Sequence, residues 1–296
     1  MVGCSKEEVI ELNREQIGFG EVFVDNATRA DYSSGKPVEA FKVWGNLTGS
    51  YGNTVQIFNG ANVTRGGKAD GEAWGCDGTA QYWMPNAVYN FAAIVDGEAV
   101  ATTALPVTIN HTVADGANNK DLLYATATVT TDATAAPDNV NSNGVVAFDF
   151  SHLLSKLQFN IANATNQTYQ VTEIRVTGVA KEGVYDIAND KWTQSGTDTT
   201  ELTFGTATVA GGTTVAANEA RQILPVAQTL SVTITYDVLD SNDNTVGTLT
   251  KEGTITQTFA KNTVYAVTAT LTGSAIDFSL GTVGGWGTEN GDITVQ

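Results

Sequence analysis

Hydrophobic and polar positions alternate with a period of two along most of the chain. Phe41, Val43 and Leu47 lie around Trp44; Val55, Ile57 and Val63 follow, then Val88, Phe91 and Ile94. Later come Val171, Ile174, Val176 and Val179, then Val232, Ile234, Tyr236 and Val238, and Val264, Ala266 and Leu271 close the series. Short runs of β-branched and aromatic residues between Gly, Asn and Asp clusters predict β-strands. Helix formers are scarce, and Thr, Val and Gly stand where helices need Leu, Glu, Lys and Ala. Two exceptions are expected, a helix over residues 5–15 and a turn near residues 151–155. The stretch from Tyr236 to Val246 predicts a hairpin, its turn built from Asp, Ser and Asn residues that tolerate positive φ. The expected architecture is all-β, built from sandwiches.

Residues 131–144 are polar and rich in Gly, Pro and Asn, without periodic apolar positions, so they predict a long surface loop or a linker. An apolar run restarts at Val145 and continues to Ile161. A domain boundary is therefore placed near residue 146, within ten residues, and no short repeat of solenoid type is present. The length of 296 residues suffices for two domains, each able to bury a core. The chain carries 32 acidic and 15 basic side chains, a formal charge of −17, with only 16% of residues charged. Missing Lys and Arg rather than acidic blocks produce that balance. Without a basic patch it argues against nucleic-acid binding, which draws its affinity from phosphate neutralisation. No apolar run reaches the ~18 residues of a membrane-spanning helix. Threonine, at roughly one residue in seven, is conspicuous.

Candidate catalytic chemistry is sparse. His111 and His152 are the whole imidazole supply, and no Gly-x-Ser-x-Gly elbow presents a nucleophile beside either, so both are assigned structural roles. Cys4 and Cys76 lie far apart and lack the spacing of a zinc site. The stretch from Asn62 to Ala69 approaches a phosphate loop, but Asn62 replaces its first Gly and Ala69 its final hydroxyl residue. Asp240, Asn242 and Asn244 approach a calcium loop, yet Thr245 replaces the turn Gly and Glu252 falls one place late. No spacing singles out a carboxylate pair. No enzyme activity, metal or cofactor is expected.

The two ends carry more information. Gly3-Cys4 followed by Ser, Lys and Glu has the form of a lipoprotein junction, in which the Cys is acylated, and implies lipidation at Cys4. A short strand pattern, Gly18 to Val24, precedes the polar, small-residue stretch from Asp25 to Gly35, an exposed type of segment that proteases cut. Arg29 stands within it. The segment Ile276-Asp-Phe278-Ser-Leu280 alternates, and the tail beyond it is Gly-rich and ends Asp292-Ile293-Thr-Val295-Gln296.

The order of these pieces resembles the fimbrillin family, subunits of type V pili in Gram-negative anaerobes of the Bacteroides and Porphyromonas kind. The resemblance rests on Gly3-Cys4, Ala27-Thr-Arg-Ala30, Phe41-Lys-Val-Trp-Gly45 and the run from Tyr82 to Phe91. It continues through Phe148 to Leu157, Gly183-Val-Tyr185 with Trp192, Ile223-Leu-Pro225, Asn262-Thr-Val-Tyr265 and Trp286. It implies two transthyretin-like β-sandwich domains with Greek-key-like antiparallel sheets. The implied segments are 1–29 as lipoprotein N-terminus and cleavable leader strand, 30–146 as first sandwich and 147–296 as second. It further implies delivery to the outer membrane as a lipoprotein and cutting by an Arg-specific protease between Arg29 and Ala30. The cut removes a strand containing Phe19, Val22, Phe23 and Val24, and a strand from a neighbouring subunit fills the vacated groove. Candidate donor positions are Ile276, Phe278, Leu280, Ile293 and Val295, with residues 276–280 equally readable as the last strand of the second domain.

The function implied is that of a pilus subunit at the cell surface, supporting adhesion, with other pilins as partners and a lipid as its membrane attachment. The alternative is a monomeric or tip-located surface lipoprotein that binds a host glycan or protein through Trp74, Tyr82 and Trp83. Those aromatics also suit the core of the first sandwich.

Overall fold

Most alternating segments form strands that bury the face their apolar residues occupy, although Val55 and Val88 stay exposed. In the strand from Ser155 to Asn163, for example, Leu157, Phe159 and Ile161 are buried and the intervening Lys156, Gln158 and Asn160 are half-exposed. The computed structural model describes residues 15–24, 27–28, 38–69, 71–99, 105–272 and 276–283. The strands begin with β1 (Gly18–Val24), β2 (Ala27–Thr28), β3 (Ala40–Thr48), β4 (Thr54–Thr64) and β5 (Gly75–Cys76). Next are β6 (Val88–Val95), β7 (Glu98–Ala99), β8 (Thr108–Thr112), β9 (Leu123–Thr130) and β10 (Val145–His152). Then follow β11 (Ser155–Asn163), β12 (Thr168–Ala180), β13 (Glu182–Asp186), β14 (Lys191–Gln194), β15 (Thr199–Phe204) and β16 (Ala207–Val209). The series ends with β17 (Thr214–Ile223), β18 (Ala227–Leu239), β19 (Thr245–Thr258), β20 (Thr263–Leu271) and β21 (Ile276–Val283).

The chain divides into two compact units. The first comprises residues 1–95, 101–106 and 124–150; the second comprises 96–100, 107–123 and 151–296. The main division falls between Phe150 and Ser151. Residues 96–100 and 107–123 join the second unit, apart in sequence from most of it. The physical reason is a non-local ladder: β8 pairs antiparallel with β13, setting Ile109 opposite Tyr185 and His111 opposite Gly183. Residues 5–14 of the expected N-terminal helix lie outside the described residues. Around 151–155 no helix forms; β10 ends at His152, and the Leu153 N–H donates to Leu122 O at 2.9 Å before β11 begins.

In the first unit, eight strands hydrogen-bond in the order β2-β1-β10-β9-β6-β3-β4-β5. Its core is aromatic, and Phe41, Phe58, Phe91, Phe148 and Phe150 are all buried there. The second unit holds sheets β17-β11-β20-β21 and β15-β12-β18-β19, plus the smaller β14-β13-β8-β7. Phe159 meets Phe204 edge-on at 4.8 Å, and Tyr169 meets Tyr236 at 5.1 Å. Outward Thr side chains pair across β18 and β19, with Oγ1 separations of 3.1 Å for Thr229–Thr256 and 3.2 Å for Thr235–Thr250. The hairpin expected after Tyr236 forms, and Asp240 Oδ1 accepts the N–H groups of Asn242 and Asn244 at 2.8 and 3.0 Å.

The sheets are largely antiparallel, as expected, but β1 runs parallel to β10 and β11 parallel to β20. Antiparallel neighbours close through a tight turn, whereas parallel ones need a long crossover. These pairings accordingly join strands near opposite ends of a unit.

Candidate functional site

The structure gathers the N-terminal strand pattern into a defined seat in the first unit. β1 lies alongside β10, with Gly18 opposite Val145, Phe19 opposite Val146 and Val24 opposite Phe150. An irregularity between Phe19 and Glu21 shifts the register. Beyond β1, among the described residues, lies the two-residue β2, paired through Phe23–Thr28 and Val24–Ala27. Elsewhere residues 15–19 are held by backbone: Trp74 N–H donates to Phe19 O at 2.8 Å, Ile17 N–H to Gln81 O at 2.9 Å, and Trp83 N–H to Glu15 O at 3.1 Å.

Side chains make β1 part of the core. Phe19 is fully buried, its ring centroid 5.2 Å from Phe58, 5.3 Å from Phe91 and 5.9 Å from Phe148. Ile17 and Val24 are also buried, and Val22 and Phe23 are half-buried. The glycines beside Phe19 permit a close approach that sequence reasoning passed over. A Cβ at Gly18 would lie 3.0 Å from Ala73 Cβ. One at Gly20 would run into Glu72 O and sit 2.6 Å from Trp74 Cδ1. The flanking of an aromatic by two glycines was the available signal.

The other end of the chain is placed as follows. β21 pairs antiparallel with β20, putting Ile276 opposite Leu271, Phe278 opposite Ala269 and Leu280 opposite Val267. Residues 276–283 therefore form the edge strand of a sheet in the second unit. Leu280 is buried, and Phe278 occupies the space left by the missing side chain of Gly253 in β19. Cys4, Arg29, Ala30, Ile293 and Val295 lie outside the described residues.

The remaining candidates are embedded in packing. Trp74 and Trp83 are buried, Trp74 5.7 Å from Phe41 and Trp83 4.7 Å from Tyr89, while Tyr82 is exposed. The sugar-stacking set is thus reduced to Tyr82, because two of its rings serve the core. His111 is buried in β8, and burial pushes its imidazole down to about 4, opposed by a hydrogen bond with the Asp96 backbone. His152 bonds through Nδ1 to the buried carboxylate of Asp121, whose other oxygen accepts Leu122 N–H at 2.8 Å. Burial pushes the Asp121 carboxyl up, and the bonded His152 pulls it the other way. Cys76 is half-buried in β5, and burial raises its thiol, with Asp77 adding to the effect. Among the described residues, no group of three or more His, Cys, Asp or Glu is arranged to hold a metal ion. No helix among them is long and apolar enough to cross a membrane.

Known proteins bear on this arrangement. A sequence profile of the fimbrillin-like family matches residues 28–286. No curated protein matches the chain. Solved structures described as candidate cell adhesion proteins share its fold. One from Bacteroides ovatus has a TM-score of 0.58 at 14% identity, covering 94% of this chain and 99% of its own. A second, from Bacteroides uniformis, has a TM-score of 0.55 at 15% identity, covering 90% and 96%. A third, from Parabacteroides distasonis, has 0.54 at 10% identity, covering 94% and 98%.

Proposed function

The chain belongs to the fimbrillin-like family, and from that premise we propose that it is a structural subunit of a cell-surface pilus supporting adhesion. In this reading the chain is exported as a lipoprotein acylated at Cys4 and attached to the outer membrane only through that lipid. An Arg-specific protease cuts between Arg29 and Ala30. The leader strand with Phe19, Val22, Phe23 and Val24 then leaves, and a strand of a neighbouring pilin replaces it. Donor positions come from Ile276, Phe278, Leu280, Ile293 and Val295. The role is architectural rather than catalytic.

The observation that carries the reading is the setting of β1. Phe19 fills the core of the first unit, yet its strand lies near the end of the sheet, and among the described residues the strand beyond it is the two-residue β2. Arg29 follows Thr28 of β2 directly in the sequence, five residues after Val24. A sandwich that loses such a strand exposes unpaired backbone and an apolar trough, which an added strand repairs by β-augmentation. The test is digestion of folded full-length protein with an Arg-specific protease. The expected products are chains beginning at Ala30 that form ladders on a denaturing gel run without boiling. Cut chains that stay monomeric would refute the proposal.

A further inference from the structure

The pattern Asn-x-Thr-Arg followed by a small residue occurs twice in the sequence, as Asn26-Ala-Thr-Arg29-Ala30 and as Asn62-Val-Thr-Arg65-Gly66. By local sequence the two are equivalent substrates for an Arg-specific protease. Burial does not hide the second. Residues 66–69 are exposed, and a Cβ on Gly66 or Gly67 would meet nothing within 4 Å. The hydrogen-bonding groups around the Arg65–Gly66 bond are nevertheless occupied. Arg65 N–H donates to Glu39 O at 2.9 Å, and Arg65 O accepts Lys68 N–H at 3.0 Å. The guanidinium donates through Nε to Lys68 O at 2.9 Å and through Nη1 to Glu39 Oε1 at 3.2 Å. These bonds fold the side chain back onto its own turn, so that it is only 16% exposed in an otherwise open loop. Gly66 and Gly67 close the turn with φ of 55° and 79°, in the left-handed region that glycine adopts without strain.

A protease takes its substrate as an extended strand, binds the side chain before the scissile bond in a specificity pocket and draws the scissile carbonyl into an oxyanion hole. At Arg65 each of those handles already has an internal partner: the guanidinium, the N–H and the carbonyl oxygen. Two consecutive left-handed residues after the bond also exclude an extended path through it. We infer that the 65–68 turn is a closed cleavage site and that Glu39 keeps it closed, so that Arg29 and not Arg65 is the bond cut at this repeated pattern. The closure stands on the turn itself, while its biological meaning rests on the processing proposed above. Glu39 stands between the two copies in sequence, immediately before β3. The other described arginines are withheld by a different device. Arg175 lies in β12 between β15 and β18, and Arg221 lies in β17 paired with β11, so both sit in sheet ladders. Exposing those two requires a sheet to come apart, whereas exposing Arg65 requires only the local opening of one turn. The Glu39 contact therefore matters where the fold alone offers little protection.

The experiment digests folded full-length protein with an Arg-specific protease and follows the new N-termini by mass spectrometry over time. Wild type is compared with Glu39→Ala and with Glu39→Ala combined with Gly67→Val. Peptides spanning residues 60–69, with and without the Val, give the cutting rate of the unconstrained bond. Wild type is expected to yield chains beginning at Ala30 long before any beginning at Gly66, although the peptide is cut readily. Glu39→Ala is expected to speed cutting at Arg65 by up to about fivefold, the range of one exposed ion pair. The double variant, with a side chain forced into a left-handed position, should speed it by roughly tenfold or more. Hydrogen exchange in β6 and β10 at the wild-type rate shows that the first unit is folded in each variant. Wild type cut at Arg65 at the rate of the peptide, or variants as resistant as wild type, would overturn the inference. Gly66 termini that appear only together with termini at Val176 and Gln222 would overturn it too, because protection would then belong to the whole fold and not to the turn. If Arg29 resists cutting while the double variant opens Arg65, the closed turn stands and the processing reading fails.

Discussion

Replacing Phe19 by Ala is expected to cost the first unit on the order of 3–5 kcal/mol. The ring is fully excluded from water, and burying a Phe side chain is worth about 1.5–3 kcal/mol in transfer free energy alone. Its edge-on contacts with Phe58 and Phe91 add about 0.5–1.5 kcal/mol beyond the area term. The vacated space cannot readily collapse, because its walls belong to β4, β6 and β10, each fixed in the sheet by its own neighbours. Urea titration of the full chain, read by hydrogen exchange at β6 and β10 for the first unit and at β12 and β18 for the second, separates the two transitions. With a urea dependence of about 1–3 kcal/mol per molar, the first midpoint should fall by about 1–5 M, its slope unchanged, and the second should stay in place. The half-buried Phe23→Ala should cost clearly less. A loss below about 1 kcal/mol at Phe19, or equal losses at Phe19 and Phe23, would refute the view that this ring plugs the core.

Other consequences follow from the same packing. His111 is held near 4 when folded against about 6.5 when unfolded. The unfolded chain thus binds the extra proton between those values, and stability rises with pH across that window and falls as pH drops through it, by on the order of 3 kcal/mol. Urea midpoints between pH 7 and pH 4.5 should therefore shift less in His111→Gln than in wild type, and equal shifts would contradict the assignment. Asp121→Ala leaves the buried His152 without its carboxylate and should cost about 3–5 kcal/mol, whereas replacing both residues with Leu should recover most of that loss. A double-mutant cycle by chemical denaturation decides between them. Gly253→Val places a side chain where the Phe278 ring lies, so amide exchange along β21 should accelerate, and adding Phe278→Ala should restore protection. Unchanged exchange in Gly253→Val would show that Phe278 does not hold the strand there.

Much of the fold was legible because a β-strand with one buried face writes itself as alternation. The runs at Phe41–Leu47, Val55–Val63, Val88–Ile94, Val171–Val179, Val232–Val238 and Val264–Leu271 all lie in strands. The Asp240 turn was legible because Asp and Asn satisfy their own backbone locally. The candidate site was only half legible. The Gly18–Val24 pattern announced a strand, but not that Phe19 is wholly enclosed while Val22 and Phe23 are half-buried. Trp74 and Trp83 looked suited to a sugar surface as readily as to a core. Trp74 packs on Phe41, far away in sequence, and bonds through its backbone to β1, while Trp83 packs on Tyr89 of β6 and bonds to Glu15.

Local chemistry in the sequence determined the all-β class, the positions of most strands, the hairpin at Asp240 and the family to which the chain belongs. Its composition also set an acidic, Thr-covered surface. The tertiary structure decided which strands meet. Period-two alternation states which face of a strand is apolar, but not which strand lies beside it or in what direction. For that reason the parallel pairings of β1 with β10 and β11 with β20, and the membership of β7 and β8 in the second unit, became visible only once the chain was folded. The same holds for the glycines around Phe19. In sequence they are two residues of high conformational freedom; in the folded chain they are the clearance between β1 and the backbone of residues 72–74.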